Sequence, residues 1–340
     1  MVKIAVLGAG INGVTCALRI KEKYQNADVI LISDQFSPNT TGDGSGGLWY
    51  PFYIGNTAGD RIAKWGGETY HFLHKLWLED GLNISVMPIY VLNREVPPAL
   101  AHRPLWANDV FGYNDIDGRL LEYLNRLYNN NYVSGHVFTT FVVQPPKIIS
   151  YLLDRFKAVG GKVLQVKIKS LRDPLLNGYQ VVVNCTGLGA REMVPDRRVF
   201  PIRGQIFKVA APWINVTVID DNSGHYIIPN AETCVLGGTH QEEDFNTKLD
   251  EKDTDFILNG CRTIIPSLTD AKIVKAWVGL RPGRDEVRIE LEECDGKLYI
   301  HNYGHGGSGL TLFWGCASEV LDNLSQWWDK LRSPITKSKL

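Results

Sequence analysis

The segment Gly8-Ala-Gly-Ile-Asn-Gly13 constrains the fold more than any other part of the sequence. It follows an apolar run, Lys3 to Leu7, which predicts a short buried strand. It precedes Val14 to Tyr24, whose apolar spacing predicts a helix, and a further apolar run, Asp28 to Ser33, predicts a second buried strand. Strand, glycine-rich turn, helix and strand in this order predict half of a doubly wound α/β unit.

Each part of this turn has a physical role in binding a dinucleotide. Gly8 forms the tight turn, Gly10 lets the backbone approach a diphosphate, and Gly13 lets the helix pack closely on the strand. Ile11 and Asn12 lie at the start of the helix, where free backbone N–H groups and the positive end of the helix dipole favour phosphate. We therefore predict that this turn binds the diphosphate of a cofactor.

The end of the second strand predicts a contact to the cofactor's adenosine. Ser33 and Asp34 close this strand, and Asp34 comes 21 residues after Gly13. An acidic residue at about this spacing accepts hydrogen bonds from ribose hydroxyls. The turn and the carboxylate together predict a dinucleotide, but they do not distinguish a flavin from a nicotinamide.

Two further strand-to-glycine junctions lie far along the chain. The run Val181 to Asn184 enters Thr186-Gly-Leu-Gly189, and Leu298 to Asn302 enters Tyr303-Gly-His-Gly-Gly-Ser-Gly309. We therefore expect an α/β cofactor domain assembled from the separated segments 1–55, 138–195 and 290–340. Residues 56–137 and 196–289 are richer in strand-like runs and would form an α+β second lobe that shares an interface with the first.

The third junction favours a flavin over a nicotinamide. A helix is expected from about Leu310 to Leu331, directly after the glycines. Its N-terminus would stabilise the negative charge that a flavin gains at its N1/O2 edge on reduction. A nicotinamide loses positive charge on reduction and needs no such partner.

Composition excludes several other classes of function. The net charge of -1 gives no electrostatic case for binding nucleic acid or a membrane surface, and no apolar run is long enough to span a membrane. The six cysteines are irregularly spaced without a CxxC pair, which predicts reduced thiols and no metal site. The chain ends in Ser338-Lys339-Leu340, a peroxisomal address, so we expect a peroxisomal matrix protein that binds the import receptor.

Seven motifs, in this order, resemble the D-amino-acid oxidase and D-aspartate oxidase family. They are VLGAGINGV at 6–14, TTGDGSGGLW at 40–49, VVVNCTGLGA at 181–190, PIRGQ at 201–205, HYIIP at 225–229, VGLRPGR at 278–284 and HNYGHGGSGLT at 301–311. The resemblance implies a Rossmann-like domain with non-covalent FAD and a substrate domain built on a mixed β-sheet. It also implies hydride transfer from a D-amino acid to flavin N5, with O₂ reduced to hydrogen peroxide and a 2-oxo acid and ammonia as products.

The resemblance also assigns residues to the cofactor and the substrate. Besides the first turn and Asp34, the cofactor residues would be Thr40, Thr41, Gly47, Leu48, Ile168, Thr186, Gly187, Gly306, Gly307, Gly309, Leu310 and Thr311. Tyr226 and Arg281 match the pair that holds the substrate α-carboxylate, and the Gly307 carbonyl matches the acceptor for the amine. A guanidinium suits this role because it binds a carboxylate bidentately. Hydride transfer requires no general base, so His301 and His305 are left out of the catalytic set.

The run from Trp213 to Tyr226 is short, as in the acidic-substrate branch of the family. That branch often has arginine where this sequence has His240, and the other arginine expected there is replaced by Ile219. We expect a preference for D-aspartate or D-glutamate, with His225, His240 and Ser308 near the substrate side chain. The alternatives are an oxidase of neutral D-amino acids, a glycine or sarcosine oxidase, an NAD-dependent dehydrogenase and a non-catalytic FAD-binding protein.

Overall fold

Two β-sheets carry the fold in the computed structural model of the chain, which describes residues 1–79, 82–95, 103–294 and 296–332. The predicted targeting tripeptide, Ser338-Lys339-Leu340, lies outside the described residues. The described strands are β1 (Lys3–Leu7), β2 (Asp28–Ser33), β3 (Ser85–Asn93), β4 (Phe111–Asp115), β5 (Ser134–Val142), β6 (Lys162–Gln165), β7 (Val181–Asn184), β8 (Phe200–Ala210), β9 (Thr217–Asp220), β10 (His225–Pro229), β11 (Cys234–Gly237), β12 (Gln241–Glu242), β13 (Lys272–Gly283), β14 (Arg288–Cys294) and β15 (Lys297–Tyr303). The described helices are α1 (Ile11–Lys23), α2 (Gly59–Glu79), α3 (Gly118–Tyr128), α4 (Pro145–Ala158), α5 (Ala190–Met193), α6 (Glu251–Ile264), α7 (Gly309–Ser325) and α8 (Trp328–Arg332).

The first sheet has six strands in the order β14-β15-β7-β1-β2-β6. All neighbouring strands are parallel except β14, which pairs with β15 in the antiparallel sense at one edge. Leu7 of β1 is opposite Asn184 of β7, and Asn184 is opposite His301 of β15. The carboxyl ends of these three strands therefore lie next to one another, at the end of the sheet where the three glycine turns begin.

The second sheet has nine strands and is largely antiparallel. Its longest pairing joins β8 and β13, from Lys272 opposite Ala210 to Gly283 opposite Phe200. On its other side β8 pairs with β11 and β12, and the sheet continues through β10, β9, β3, β5 and β4. Only β3 and β9 run parallel, so the sheet is mixed. The predicted class, a Rossmann-like α/β unit with a mixed-sheet second lobe, is confirmed.

The helices bury their apolar faces against the sheets and against one another. α1, α2, α4 and α7 share a core with the first sheet, in which Phe72 of α2 stacks on Trp314 of α7 with ring centroids 3.6 Å apart. α6 buries Ile257 and Ile264 in a separate cluster on the second sheet. Burial of these faces is the main favourable term for the helices, since an amphipathic helix is stabilised mostly by packing.

The apolar and aromatic residues from Thr69 to Leu78 predict a helix, but α2 begins ten residues earlier, at Gly59. A glycine pair, Gly66 and Gly67, interrupts the helical pattern in the sequence, because glycine disfavours a helix interior. In the structure this pair makes room for neighbours: a Cβ at Gly67 would come within 2.8 Å of the Asp109 carboxyl carbon, and one at Gly66 within 3.4 Å of the Trp49 ring. Packing therefore overrides the local propensity.

The strands also locate the boundaries between the two sheets. Residues 138–142, which the sequence places in the cofactor domain, belong to β5 of the nine-stranded sheet. β14 of the six-stranded sheet begins at Arg288, two residues before the expected boundary at 290. α2 lies in a segment expected in the second lobe, yet it packs on α7 of the first.

Three structural observations concern membrane spans, metal sites and cysteines, which the composition also addressed. No helix of the described residues is long and apolar enough to cross a membrane. The same residues contain no cluster of three histidine, cysteine or acidic side chains that could hold a metal ion. All six cysteines are free thiols, and Cys294 is the exposed one.

Candidate active site

An elongated cavity of about 800 Å³ lies between the two sheets. The three glycine turns of the six-stranded sheet line one side, and β8, β10 and β13 of the other sheet line the opposite side. Its volume falls in the range of sites for cofactors and small molecules. Residues from sequence-distant segments therefore meet in one site.

The first turn brings a helix N-terminus to this cavity. Gly8, Gly10, Ile11 and Asn12 line it, and no side chain caps the start of α1. Gly8 has φ +94°, and a Cβ at Gly13 would come within 1.8 Å of the Gly8 carbonyl oxygen, so both positions require glycine. Gly13 itself does not line the cavity. It permits the close contact with the Gly8 carbonyl, and this contact lets the free N–H groups of α1 face the cavity.

Ser33 and Asp34, predicted at the adenosine, line the cavity together with Lys167, Ile168 and Lys169. Thr40 and Thr41, which the resemblance assigns to the cofactor, line it as well. The buried carboxylate of Asp43 accepts hydrogen bonds from the Thr40 amide at 2.8 Å and the Thr40 hydroxyl at 2.7 Å. This bonding fixes the loop 40–44 beside Gly47 and Leu48, which also line the cavity.

The second and third turns complete the wall next to α1. Thr186 and Gly187 line it from the end of β7, and Gly306, Gly307, Gly309 and Leu310 line it where α7 begins. Two long helices, α1 and α7, thus start at this cavity, where their free N–H groups attract negative charge.

Three buried polar atoms in this wall are available for hydrogen bonds to a ligand. The buried Asn12 Oδ1, Ser45 Oγ and His305 Nε2 have no hydrogen-bond partner among the described residues, and all three residues line the cavity. A buried polar atom without a partner is destabilising unless a ligand or water bonds to it. These atoms, the two helix termini and the Asp34 carboxylate fit the FAD that the sequence predicts.

Ser308 and Thr311 hold the cavity wall but do not line the cavity. The Ser308 hydroxyl donates to the Phe52 carbonyl at 2.8 Å and accepts from the Phe52 amide at 2.7 Å. The Thr311 hydroxyl donates to the Tyr50 carbonyl at 3.0 Å and accepts from the Tyr50 amide at 3.2 Å. We call these four hydrogen bonds of Ser308 and Thr311 the hydroxyl clasp. Ser308 was predicted near the substrate side chain and Thr311 at the cofactor. The clasp corrects both predictions, because the backbone of the segment 50–53 occupies each hydroxyl.

Arg281 and Tyr226 lie together on the side of the nine-stranded sheet. The Arg281 guanidinium lies against Gly204, where a Cβ would come within 2.4 Å of its Nη atoms. Its Nη1 donates to the Thr239 carbonyl at 3.0 Å and more weakly to the Arg203 carbonyl at 3.4 Å. Burial raises the pKa of Tyr226, and the charge and hydrogen bond of Arg281 oppose that rise. The phenol therefore stays protonated and can donate to an anion held by Arg281.

His240, which is expected near the substrate side chain, lines the cavity. Its ring lies 4.8 Å from that of Tyr53, measured between centroids. Burial and, secondly, the charge of Arg281 lower its pKa. The imidazole is therefore uncharged at neutral pH and supplies no permanent positive charge.

His225 does not line the cavity, which corrects its predicted contact with the substrate. Its Nε2 hydrogen bonds with the Phe256 carbonyl at 3.0 Å and its Nδ1 with the Ser223 hydroxyl at 2.8 Å. Successive side chains of a strand point to opposite faces, so β10 turns Tyr226 to the cavity and His225 toward α6.

Tyr50, Tyr53, Asp221 and His305 are among the lining residues that were not predicted to be functional. Tyr50 and Tyr53 follow the motif TTGDGSGGLW directly, and Asp221 lies two positions after Ile219 at the end of β9. His305 lines the cavity beside Asn12, with burial lowering its pKa to about 4. The sequence did offer a signal for the two tyrosines, since they follow a recognised motif closely.

We predict that Ser308→Ala loosens the wall formed by residues 50–53. The substitution removes the hydroxyl that bonds both the amide and the carbonyl of Phe52. A buried amide left without its partner lowers the free energy of unfolding by about 1–3 kcal/mol. Urea titration of the purified protein measures this loss.

The matched control for this variant is Ser267→Ala. That hydroxyl accepts one exposed hydrogen bond from Trp213, so its loss should change the free energy of unfolding by less than about 0.5 kcal/mol. Equal stability of the Ser308 variant and the unmodified protein would show that the clasp does not hold the wall.

Comparison with known proteins places this site in a family. The family model described as "DAO: FAD dependent oxidoreductase" matches residues 3–322. The chain is 38% identical to a D-amino acid oxidase of Dugesia ryukyuensis, covering 93% of this chain and 96% of that protein. It is 34% identical to human D-aspartate oxidase, covering 99% of each.

A solved structure supports the fold. The glycine oxidase of Bacillus cereus superimposes with a TM-score of 0.78 at 17% identity, covering 99% of this chain and all of that one. At this identity the likeness concerns the fold alone, whereas the family match and the two relatives span nearly the whole sequence. The chain therefore belongs to the DAO family of FAD-dependent oxidoreductases, and FAD is its cofactor.

Proposed function

We propose that the cavity catalyses the oxidative deamination of D-amino acids. The observation that carries this proposal is the Arg281–Tyr226 pair on the cavity wall that faces the glycine turns. A fixed guanidinium beside a protonated phenol suits a carboxylate. Two relatives that match over nearly their whole length are named D-amino acid oxidase and D-aspartate oxidase, which supports a D-amino acid as the substrate.

Arg281 would bind the substrate α-carboxylate without having to reorganise. The carbonyls of Thr239 and Arg203 hold its Nη1, and Gly204 supports the plane of the guanidinium. Tyr226 adds a hydroxyl donor from β10. Fixing one group in advance lowers the entropy lost when the substrate binds.

The substrate amine would be held from the opposite wall by the carbonyl of Gly307. Gly307 lines the cavity, and its amide donates to the Tyr53 carbonyl at 3.2 Å, which fixes the orientation of the loop. With the carboxylate at Arg281 and the amine at Gly307, only one handedness directs its α-hydrogen to the cofactor. Selectivity for D-amino acids would follow from these two contacts.

When bound, FAD supplies the acceptor for the α-hydrogen, taken as hydride at N5, and transfers the electrons to O₂ to give hydrogen peroxide. The protein's part is to bind and to orient. The start of α7, at Gly309 and Leu310, presents free N–H groups to the cavity and would stabilise negative charge there. No side chain has to take up the α-proton. The resulting imino acid hydrolyses to a 2-oxo acid and ammonia.

We predict that Arg281→Lys lowers kcat/KM for D-alanine about 10- to 100-fold, because an ammonium cannot replace the bidentate hydrogen bonds of a guanidinium. Peroxide release and anaerobic bleaching of the FAD absorption measure this. Tyr123→Phe, on the exposed face of α3, is the control and should leave kcat/KM unchanged. Full activity of the Arg281 variant would rule out the assigned carboxylate site.

For the substrate side chain we propose groups other than acidic ones. Arg281 is the only arginine among the described residues that line the cavity, and Ile219 stands at the place of a second expected arginine. His240 is uncharged at neutral pH, and Asp221 brings a like charge to this end. The short run before Tyr226 and the identity with human D-aspartate oxidase support the acidic alternative, but the charges that line the cavity oppose it.

We predict that kcat/KM at neutral pH is larger for D-alanine than for D-aspartate or D-glutamate, by about tenfold or more, because an uncompensated carboxylate loses its hydration. The ratio should shift toward D-aspartate as the pH falls and His240 gains a proton. Because the pKa of His240 is lowered, we expect this change in the ratio at a pH below the usual pKa of histidine. His240→Arg should raise kcat/KM for D-aspartate, whereas a wild-type preference for D-aspartate at neutral pH would favour the acidic class.

We also propose import into peroxisomes through Ser338-Lys339-Leu340. A fluorescent protein attached before Met1, which is exposed, leaves the C-terminus free. We expect punctate fluorescence that coincides with a peroxisomal marker, and diffuse fluorescence after deletion of the last three residues. Punctate localisation of the deleted form would contradict this proposal.

A further inference from the structure

The side-chain end of the cavity carries a carboxylate that nothing in the preceding mechanism uses. Asp221 directly follows β9 and lines the cavity near Ile219. Its amide donates to the Leu92 carbonyl at 3.0 Å, which fixes its backbone. Ile219 and Asp221 both line the cavity, whereas Asp220 is fully buried and does not reach it.

The two neighbouring carboxylates differ in how they are neutralised. The fully buried Asp220 is paired with Arg94 and accepts a hydrogen bond from the Tyr132 hydroxyl at 3.2 Å. Among the described residues, none donates a hydrogen bond to the Asp221 carboxylate or forms an ion pair with it. Asp221 is exposed to solvent, yet partial desolvation by the surrounding protein and, secondly, the charge of Asp220 raise the pKa of its carboxyl. A positive ligand would offset both effects.

Two tyrosine side chains lie within electrostatic reach of this carboxylate. Tyr50 and Tyr53 line the same end of the cavity, and the charge of Asp221 contributes to the raised pKa of each phenol after the larger effect of burial. Glu242 lies near enough to raise the pKa of Tyr53 as well. Faces of tyrosine rings attract cations.

Once a substrate carboxylate neutralises Arg281, the remaining charge at this end of the cavity is negative, since His240 is neutral there. We infer that the side-chain end accepts a cationic side chain, the guanidinium or ammonium of a D-amino acid such as D-arginine or D-lysine, and that Asp221 determines this specificity. The inference rests on the proposed oxidation of D-amino acids and names the substrate class of that same site.

The test compares holoenzymes on four D-amino acids: D-arginine, D-glutamine, D-glutamate and D-alanine. D-Glutamine is the uncharged comparison for a long side chain. We expect kcat/KM for D-arginine to exceed that for D-glutamine about tenfold, the size of one partly desolvated ion pair. Asp221→Asn should lower the ratio of D-arginine to D-alanine about tenfold, and Asp221→Arg should raise the ratio of D-glutamate to D-arginine.

The control is Glu122→Gln, which removes an exposed carboxylate of α3 away from the cavity and should change none of these ratios. The inference is overturned if Asp221→Asn leaves the ratio of D-arginine to D-alanine unchanged, or if all four substrates lose activity by the same factor in that variant. Turnover of D-alanine by the wild type is the separate readout: if it persists in these cases, the proposed oxidation stands. Failure of every D-amino acid to reduce the bound FAD overturns both.

Discussion

Parallel pairing of β1, β7 and β15 is the constraint on which the rest of the site depends. Since Leu7, Asn184 and His301 lie side by side in register, the chain leaves all three strands at the same edge. Each exit is a glycine turn, and two of the turns lead into long helices. Three sequence-distant segments thus form one wall, although none of them could enclose a dinucleotide by itself.

The nine-stranded sheet supplies the opposite wall and a different chemistry. The glycine side presents backbone N–H groups, which suit phosphate, while the β8–β13 side presents a guanidinium and a phenol. Glycine matters on both sides for the same reason, close approach: Gly13 beside the Gly8 carbonyl and Gly204 beside the Arg281 guanidinium. The charge distribution then changes sign along the cavity, from Arg281 to Asp221.

Local patterns in the sequence predict the fold well for strands that are buried along their whole length. The buried runs at 3–7, 28–33 and 181–184 coincide with β1, β2 and β7. Prediction was wrong where tertiary contacts decide, as at the start of α2, whose Gly66 and Gly67 lie against the side chains of Trp49 and Asp109. It was also wrong for Ser308, because only the folded structure shows that the backbone of Phe52 takes up its hydroxyl.

The same distinction applies to the site. The cofactor turn and the Arg281–Tyr226 pair are in motifs, so the sequence identifies them, and alternation along β10 would have excluded His225 once Tyr226 was placed. Tyr50, Tyr53 and Asp221 lie in irregular segments or at a strand end, where no periodicity indicates which way a side chain points. Their role depends on the approach of the two sheets, which no local pattern encodes.

The clasp formed by Ser308 and Thr311 links two binding events thermodynamically. The same few residues end the cofactor loop, begin α7 and bond the backbone of Tyr50 and Phe52 on the substrate side. A cofactor that orders the start of α7 therefore also orders part of the substrate wall. The conformational entropy lost when the cofactor binds is then not lost again when the substrate binds. By linkage, whatever affinity the cofactor adds to substrate binding, the substrate adds to cofactor binding.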